Sequence, residues 1–445
     1  MYTLLIDYMN FQDAKSVESG ENRVPLAAAI EPSSPTSNVE REPPLCETEW
    51  RSFFNSDGRI LNESGLRKAI FKGGISHDIR AEVWMFLFGF YSFSSTSRER
   101  EVITVERMVQ YDVLKEKWHE ELQNTLAKEQ NSSEELERYL NPAYCTNNNP
   151  NFGVNKENQS VEVQQQLMFA KIEAQINVNK QKINVPNLRH YLRTIDKDVP
   201  RTDRNLKFYQ DPKNLLALRN ILLTYVSFSP DIGYTQGMND LVSRFHVVLK
   251  SEYKTYYCFL NFMERVEREF LEDGMISKLE LIQTLLRKMD SQLYDFFKSL
   301  DIKELLFCHR WLLLNFKREF NYEDSLKIFE IISSHHLELS SLEAEKERRQ
   351  KRAEELKNQD GQLYTGIVEV NADFTFDLFI CLAILVSNRT QLSNCSDLAS
   401  IYNTINGLSM NMDLNMMLAK AETLFLSYCR NSVADCFQVV DIERY

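Results

Sequence analysis

Paired cysteines are missing from this sequence. Its eight cysteines stand singly along 445 residues, and the seven histidines do not fall at metal-ligand spacing beside them. That argues against a zinc framework. In a chain of this length, scattered cysteines read as reduced core thiols of a cytosolic protein. His335 and His336 are adjacent, but no cysteine or third histidine lies near them in sequence, so no metal site is expected there. Long apolar runs are missing too. The longest, VWMFLFGFY (83–91) and LFICLAILV (378–386), fall short of the about 20 residues that span a bilayer. The opening MYTLLIDYMNFQDAK has no basic n-region and carries Asp7, so no signal peptide is expected. Neither the Met-Tyr start nor the closing VVDIERY is a lipidation signal. No repeat of solenoid period stands out. There is no GxxxxGK[ST], no HExxH, no GxSxG and no kinase motif set. The chain is therefore not expected to hold its own nucleotide through a P-loop or to carry one of those catalytic centres.

What is present is a large, acidic, apolar-rich chain. Lysine and arginine number 52 against 64 aspartates and glutamates, a formal charge of −12, which argues against general binding to nucleic acid or anionic membrane. Apolar residues make up 43%, enough for a sizeable core. Residues 1–45 are expected to be disordered, with 16–44 rich in Ser, Pro, Glu and Asn. A folded region is expected over 46–430, followed by a tail at 431–445. Two stretches interrupt it. The Asn- and Gln-rich 129–187 reads as a mobile insertion with one polar helix near 161–180. A charged insertion at 341–365 reads as a helix over 341–359, where Glu345–Arg349 and Glu347–Lys351 are favourable pairs. A solvated helix is the default for such a run, and a partner-binding helix is the alternative.

The rest reads as all-α. Ser76 is placed to cap a helix carrying Ile79, Val83, Phe86, Leu87 and Phe90. Helical spacing recurs at 214–229, 254–271, 281–300 and 303–320, and again in SLKIFEII, DLFICLAILV, DLASIYNTINGLS and LNMMLAKAETLFLSYCR. GIVEV (366–370) is a weak strand candidate.

Two short stretches carry candidate chemistry. In IDKDVPR (195–201), Pro200 disfavours helix at Val199, which places Arg201 just past a helix end. Asp196, Asp198 and Asp203 stand near enough in sequence to orient it, and a guanidinium fork suits bidentate contact with phosphate. In GYTQGMND (233–240), Tyr234 can anchor, and Gln236 and Gly237 precede Met238, Leu241, Val242 and Phe245 at helical spacing. Gln236 thus falls at a loop-to-helix junction, where a carboxamide can accept from a water and donate to a phosphate at once. Read alone, the arginine is ordinarily a structural ion pair and the glutamine ordinarily polar surface.

The motifs together resemble the TBC (Tre-2/Bub2/Cdc16) family, GTPase-activating domains for Rab GTPases, and most nearly the branch of human TBC family member fifteen. Ile195, Asp198 and Arg201 match IxxDxxR, and Tyr234, Gln236 and Gly237 match YxQG. Gly74-Ile75, Arg80 and Trp84 match an upstream helix motif, and Trp311 opens a downstream helix ending in Phe316 to Phe320. The resemblance implies a two-subdomain all-α fold over about 46–430. It implies that Arg201 and Gln236 are the catalytic fingers and that Ile195, Asp198, Tyr234 and Gly237 support their loops. Arg80, Trp84 and Trp311 would be structural. The partner would be a GTP-bound Rab, which holds GTP and Mg²⁺, so no cofactor is expected here. The chain would be an activator rather than an enzyme, cytoplasmic and recruited indirectly to endosomal or other vesicle membranes. His309 and Phe329 stand where the family usually has other aromatic residues. Two other readings remain at this point: a TBC fold that binds a Rab without catalysis, and a plain helical adaptor.

Overall fold

Apolar side chains at helical spacing dictate most of the architecture. The structure is a computed structural model describing residues 40–128, 161–229, 231–302, 304–340 and 374–442. The N-terminal stretch up to residue 39, residues 129–160, the charged run at 341–359 and GIVEV fall outside the described residues. Among those described, regular structure is helical, and β pairing is limited to the isolated bridges Leu45–Ile75 and Phe54–Ile60.

The first half contains α1 (Glu47–Ser52), α2 (Glu63–Gly73), α3 (His77–Leu87), α4 (Ser97–Lys128), α5 (Val161–Asn179), α6 (Val185–Asp198), α7 (Pro212–Phe228) and α8 (Met238–Leu249). The second half contains α9 (Glu252–Val266), α10 (Glu272–Met289), α11 (Ser291–Ser299), α12 (His309–Leu313), α13 (Tyr322–Ser333), α14 (Phe376–Ser387), α15 (Arg389–Ser393), α16 (Leu398–Leu408) and α17 (Leu414–Ile442). Helix α5 falls where the polar helix is expected and packs along α4, burying Ala174 and Val178. Ser76 does sit at the start of α3, but its side chain makes no capping bond. Asn62, Asn184, Asp211 and Asn321 do cap, each accepting from a backbone N–H in the first turn of its helix. Helix α14 is buried from Phe376 to Leu385, as befits a helix apolar on every side.

Two expected helices are broken. The run 281–300 divides at Asp290, whose backbone leaves the helical region and whose Oδ1 accepts from the Leu293 amide at 3.0 Å. Aspartate competes with helix by offering the backbone its own oxygen, so Asp290 ends α10 and caps α11. The run 303–320 is helical only through α12, after a 3₁₀ turn at Leu306–Cys308. Beyond it, Asn315 and Phe316 take left-handed φ values of 46° and 58°. Arg244, fully buried on α8, donates to the carbonyls of Leu314 at 2.6 Å and Asn315 at 3.1 Å. Those carbonyls are then engaged by a side chain, and FKREF forms a tight turn in place of helix.

The core gathers around Phe329. Its ring stacks on Phe88 (centroids 5.2 Å apart, 17° between planes) and meets Trp84, Phe245 and Phe262 edge-on. The Arg244 guanidinium covers it at 4.7 Å. His309 is also buried, and the loss of solvent lowers its pKa.

Candidate functional site

The site is assembled from three chain segments that share buried carboxylates. The first is the end of α6. Leu188, Leu192 and Ile195 form its buried stripe. The α-helix stops at Asp198 and tightens into a 3₁₀ turn over Val199–Arg201. Against expectation, Val199 keeps helical dihedrals (φ −54°, ψ −48°) and its N–H still donates to the Ile195 carbonyl, so Pro200 does not break the helix at Val199 and the chain turns away only at Thr202 (φ −71°, ψ 123°). Asp198 is buried while Arg201, three residues on, is exposed. Asp198 Oδ1 accepts from the Arg201 guanidinium at 2.5 Å. The other N–H groups of Arg201 make no hydrogen bond among the described residues.

The second segment leads into α8. Gly233 adopts φ 65° beneath Tyr191, whose hydroxyl lies only 2.1 Å from where a Cβ would stand. Gly237 adopts φ 107° at the start of α8 and rests against Leu313 and Leu314. Only glycine suits both places. Between them, Tyr234 is buried and donates to Asp198 Oδ2 at 2.7 Å. Burial first, and then the charge of Asp198, push the tyrosine hydroxyl well above its usual pKa, so it stays a donor. Gln236 is half-buried in the turn, and its carboxamide has no hydrogen-bond partner among the described residues.

A single carboxylate therefore holds both loops. The tie is doubled by Asn239, whose Oδ1 lies 3.3 Å from the Tyr234 hydroxyl and 3.3 Å from the Gly237 amide. Asn239 Nδ2 donates to Thr202 Oγ1 at 2.9 Å, and Thr202 returns its proton to the Asp198 carbonyl at 2.9 Å. Replacing Tyr234 with phenylalanine keeps the ring but leaves Asp198 Oδ2 without that donor. The expected cost is about 1–3 kcal/mol in urea unfolding, as for any buried acceptor left unmet. An unchanged midpoint would show that the tie is dispensable.

The other two aspartates expected near Arg201 turn elsewhere. Asp196 takes a two-pronged contact from Arg219 on α7, at 2.6 and 3.3 Å. Asp203 takes Lys317 and Ser243, both at 2.6 Å. Of the three, only Asp198 orients Arg201. The remaining motif residues stand apart from the loops. Arg80 Nε and the Trp84 indole N–H both donate to Glu330 Oε1, at 2.6 and 2.9 Å, and the Ile75 amide donates to Oε2 at 3.1 Å. Trp311 is fully buried and serves packing.

Sequence reading missed Asn239, Thr202, Lys317, Asp240 and Glu330. Asn239 and Asp240 lie off the apolar stripe of α8, which ordinarily marks solvent-facing positions. A signal was nonetheless available, because both directly follow the glutamine loop.

Residues 143–343 match the family described as the Rab-GTPase-TBC domain, and the chain carries such a domain. It is 30% identical over 393 residues to TBC1 domain family member 17 of Mus musculus, covering 87% of this chain and 47% of that protein. It is 28% identical over 401 residues to the GTPase-activating protein GYP7 of Candida glabrata, covering 88% and 44%. The chain thus spans about half the length of these curated relatives. Among solved structures, the Ypt/Rab-GAP domain of Gyp1p shares the fold, with a TM-score of 0.52 at 17% identity, over 86% of this chain and 98% of that one.

Proposed function

We propose that the protein is a GTPase-activating protein for a Rab-family small GTPase. It acts on the GTP-bound state and supplies two side chains in trans. Arg201 neutralises charge developing on the transferred phosphoryl group, and Gln236 orients the attacking water. GTP and Mg²⁺ belong to the partner. The observation that carries this reading is the Asp198 carboxylate, which binds Arg201 through one oxygen and Tyr234 through the other. It couples the arginine loop to the glutamine loop while leaving most donors of Arg201 and all of the Gln236 carboxamide available.

No described helix is long and apolar enough to cross a membrane. Work on vesicle or endosomal membranes would then follow from recruitment by the partner or by other proteins, with the chain itself cytoplasmic and peripheral.

The test is single-turnover GTP hydrolysis on a panel of purified, GTP-loaded Rabs. At least one is expected to be accelerated. Gln236→Ala is expected to lower that acceleration by about a hundredfold or more, the effect of removing one oriented hydrogen-bonding group from a charge-stabilising site. Its melting temperature should match the wild type, because Gln236 bonds to nothing in the described fold. A panel in which Rabs bind but none is accelerated would replace catalysis with a Rab-binding scaffold.

A further inference from the structure

A third segment meets the two finger loops, and it ends in an exposed arginine. From Trp311 to Phe320 every residue is buried except Arg318. This stretch is the end of α12 and the tight turn that follows it. It lies against Gly237, since Leu314 Cδ2 is 3.0 Å from that glycine's missing Cβ. It is also tied to the arginine loop. Lys317 Nζ donates to Asp203 Oδ2 at 2.6 Å, two residues past Arg201. The same ammonium reaches Ser243 Oγ at 2.7 Å, Asp240 Oδ1 at 3.1 Å and the Asp240 carbonyl at 3.0 Å.

Arg318 repeats the construction of Arg201. Its guanidinium donates to Asp240 Oδ2 at 2.7 Å, and its side chain is 54% exposed over an aspartate that is 6% exposed. The corresponding values for Arg201 over Asp198 are 57% and 3%. Burial would raise the Asp240 pKa, but Lys317 and then Arg318 outweigh it and bring the group down to about 2. The carboxylate is therefore a permanent anchor at any physiological pH. Asn315 and Phe316 hold left-handed backbone, φ 46° and 58°, a region a phenylalanine rarely enters. The buried Arg244 fixes this turn through the Leu314 and Asn315 carbonyls, and Arg318 is its one solvent-facing side chain.

The geometry points to Arg318 as a partner-contact residue of the same site, presented to a carboxylate on the surface of the bound GTPase. This rests on the function proposed above. Its role is affinity, with transition-state charge left to Arg201. An anchored arginine loses little side-chain freedom on binding, which is why such residues dominate interface energetics.

The experiment is a titration of wild type, Arg318→Ala, Arg318→Lys and Arg201→Ala against the responsive Rab, reading half-maximal concentration and saturating rate separately. Arg318→Ala is expected to raise the half-maximal concentration about tenfold. Its saturating rate should fall far less than that of Arg201→Ala. Its half-maximal concentration should also depend less on added salt, because one interfacial charge pair is gone. Arg318→Lys should recover part of the affinity, which a merely structural defect would not predict. An unchanged half-maximal concentration overturns the proposal, and so does a loss confined to the saturating rate. If wild type accelerates no Rab, the proposed function fails independently. The proposal is then read by fluorescence anisotropy with Rabs loaded with a non-hydrolysable GTP analogue. Weaker binding of Arg318→Ala supports it there, and equal binding, or none by wild type, overturns it.

Discussion

Arg201→Ala is expected to remove nearly all of the acceleration of GTP hydrolysis, a fall of about a thousandfold or more. An arginine supplied in trans to a phosphoryl transfer contributes about 10³–10⁵ in rate. That range corresponds to about 4–7 kcal/mol of barrier. The fold should hardly notice. Arg201 is exposed, and an exposed ion pair contributes at most about 1 kcal/mol. Asp198 keeps its Tyr234 donor after the change. Arg201→Lys should recover little, since a lysine keeps the charge but loses the planar fork that can bind Asp198 and a phosphate together. Single-turnover hydrolysis and a melting curve on the same preparations decide the matter. Full activity in Arg201→Ala would end the two-finger mechanism.

Arg80→Ala is expected to act in the opposite sense, on stability first. Glu330 is wholly buried, and Arg80 is its one cationic hydrogen-bond partner among the described residues. Removing one partner of a buried ion pair costs about 3–5 kcal/mol, because the other charge is left unpaired in the interior. The pH dependence is specific. Burial already pushes the Glu330 carboxyl up to about 7, against the lowering pull of Arg80, Trp84 and the Ile75 amide. Loss of Arg80 pushes it higher. A carboxyl whose folded pKa lies above its unfolded value stabilises the fold when protonated, and that contribution is lost as pH rises through the folded pKa. The variant should therefore be nearer to wild type at pH 5.5 than at pH 8 in urea unfolding. A deficit that does not grow with pH would show that Glu330 is not the cause.

Much of the helical framework was open to reading because it rests on local patterns. The apolar stripes of α3, α6, α7, α9 and α13 repeat at helical spacing, and each finds its partner in the core, as does α14, apolar on every side. The helix end near Arg201 was legible only roughly: Pro200 predicts a break at Val199, but Val199 stays helical and the turn comes at Thr202. The break at Asp290 is also local, and an aspartate followed by serine inside an otherwise regular stripe was the sign of it. The failure of helix over 314–320 was not legible. It depends on Arg244, which stands 70 positions from Leu314 and donates to it only once α8 and α12 have packed.

The site divides along the same line. The spacing of IxxDxxR and YxQG, with the proline and glycines around them, belongs to the sequence, since each acts through the backbone of adjoining residues. So do the two residues presented, Arg201 and Gln236. Which aspartate holds the arginine belongs to the tertiary structure. Asp196, Asp198 and Asp203 are alike in sequence, but α7 brings Arg219 to the first and the turn after α12 brings Lys317 to the third. Only Asp198 is left beneath Arg201, where Tyr234 meets it from the other loop. A carboxylate pairs with whichever donor packing delivers, and packing is a long-range outcome that no local pattern encodes.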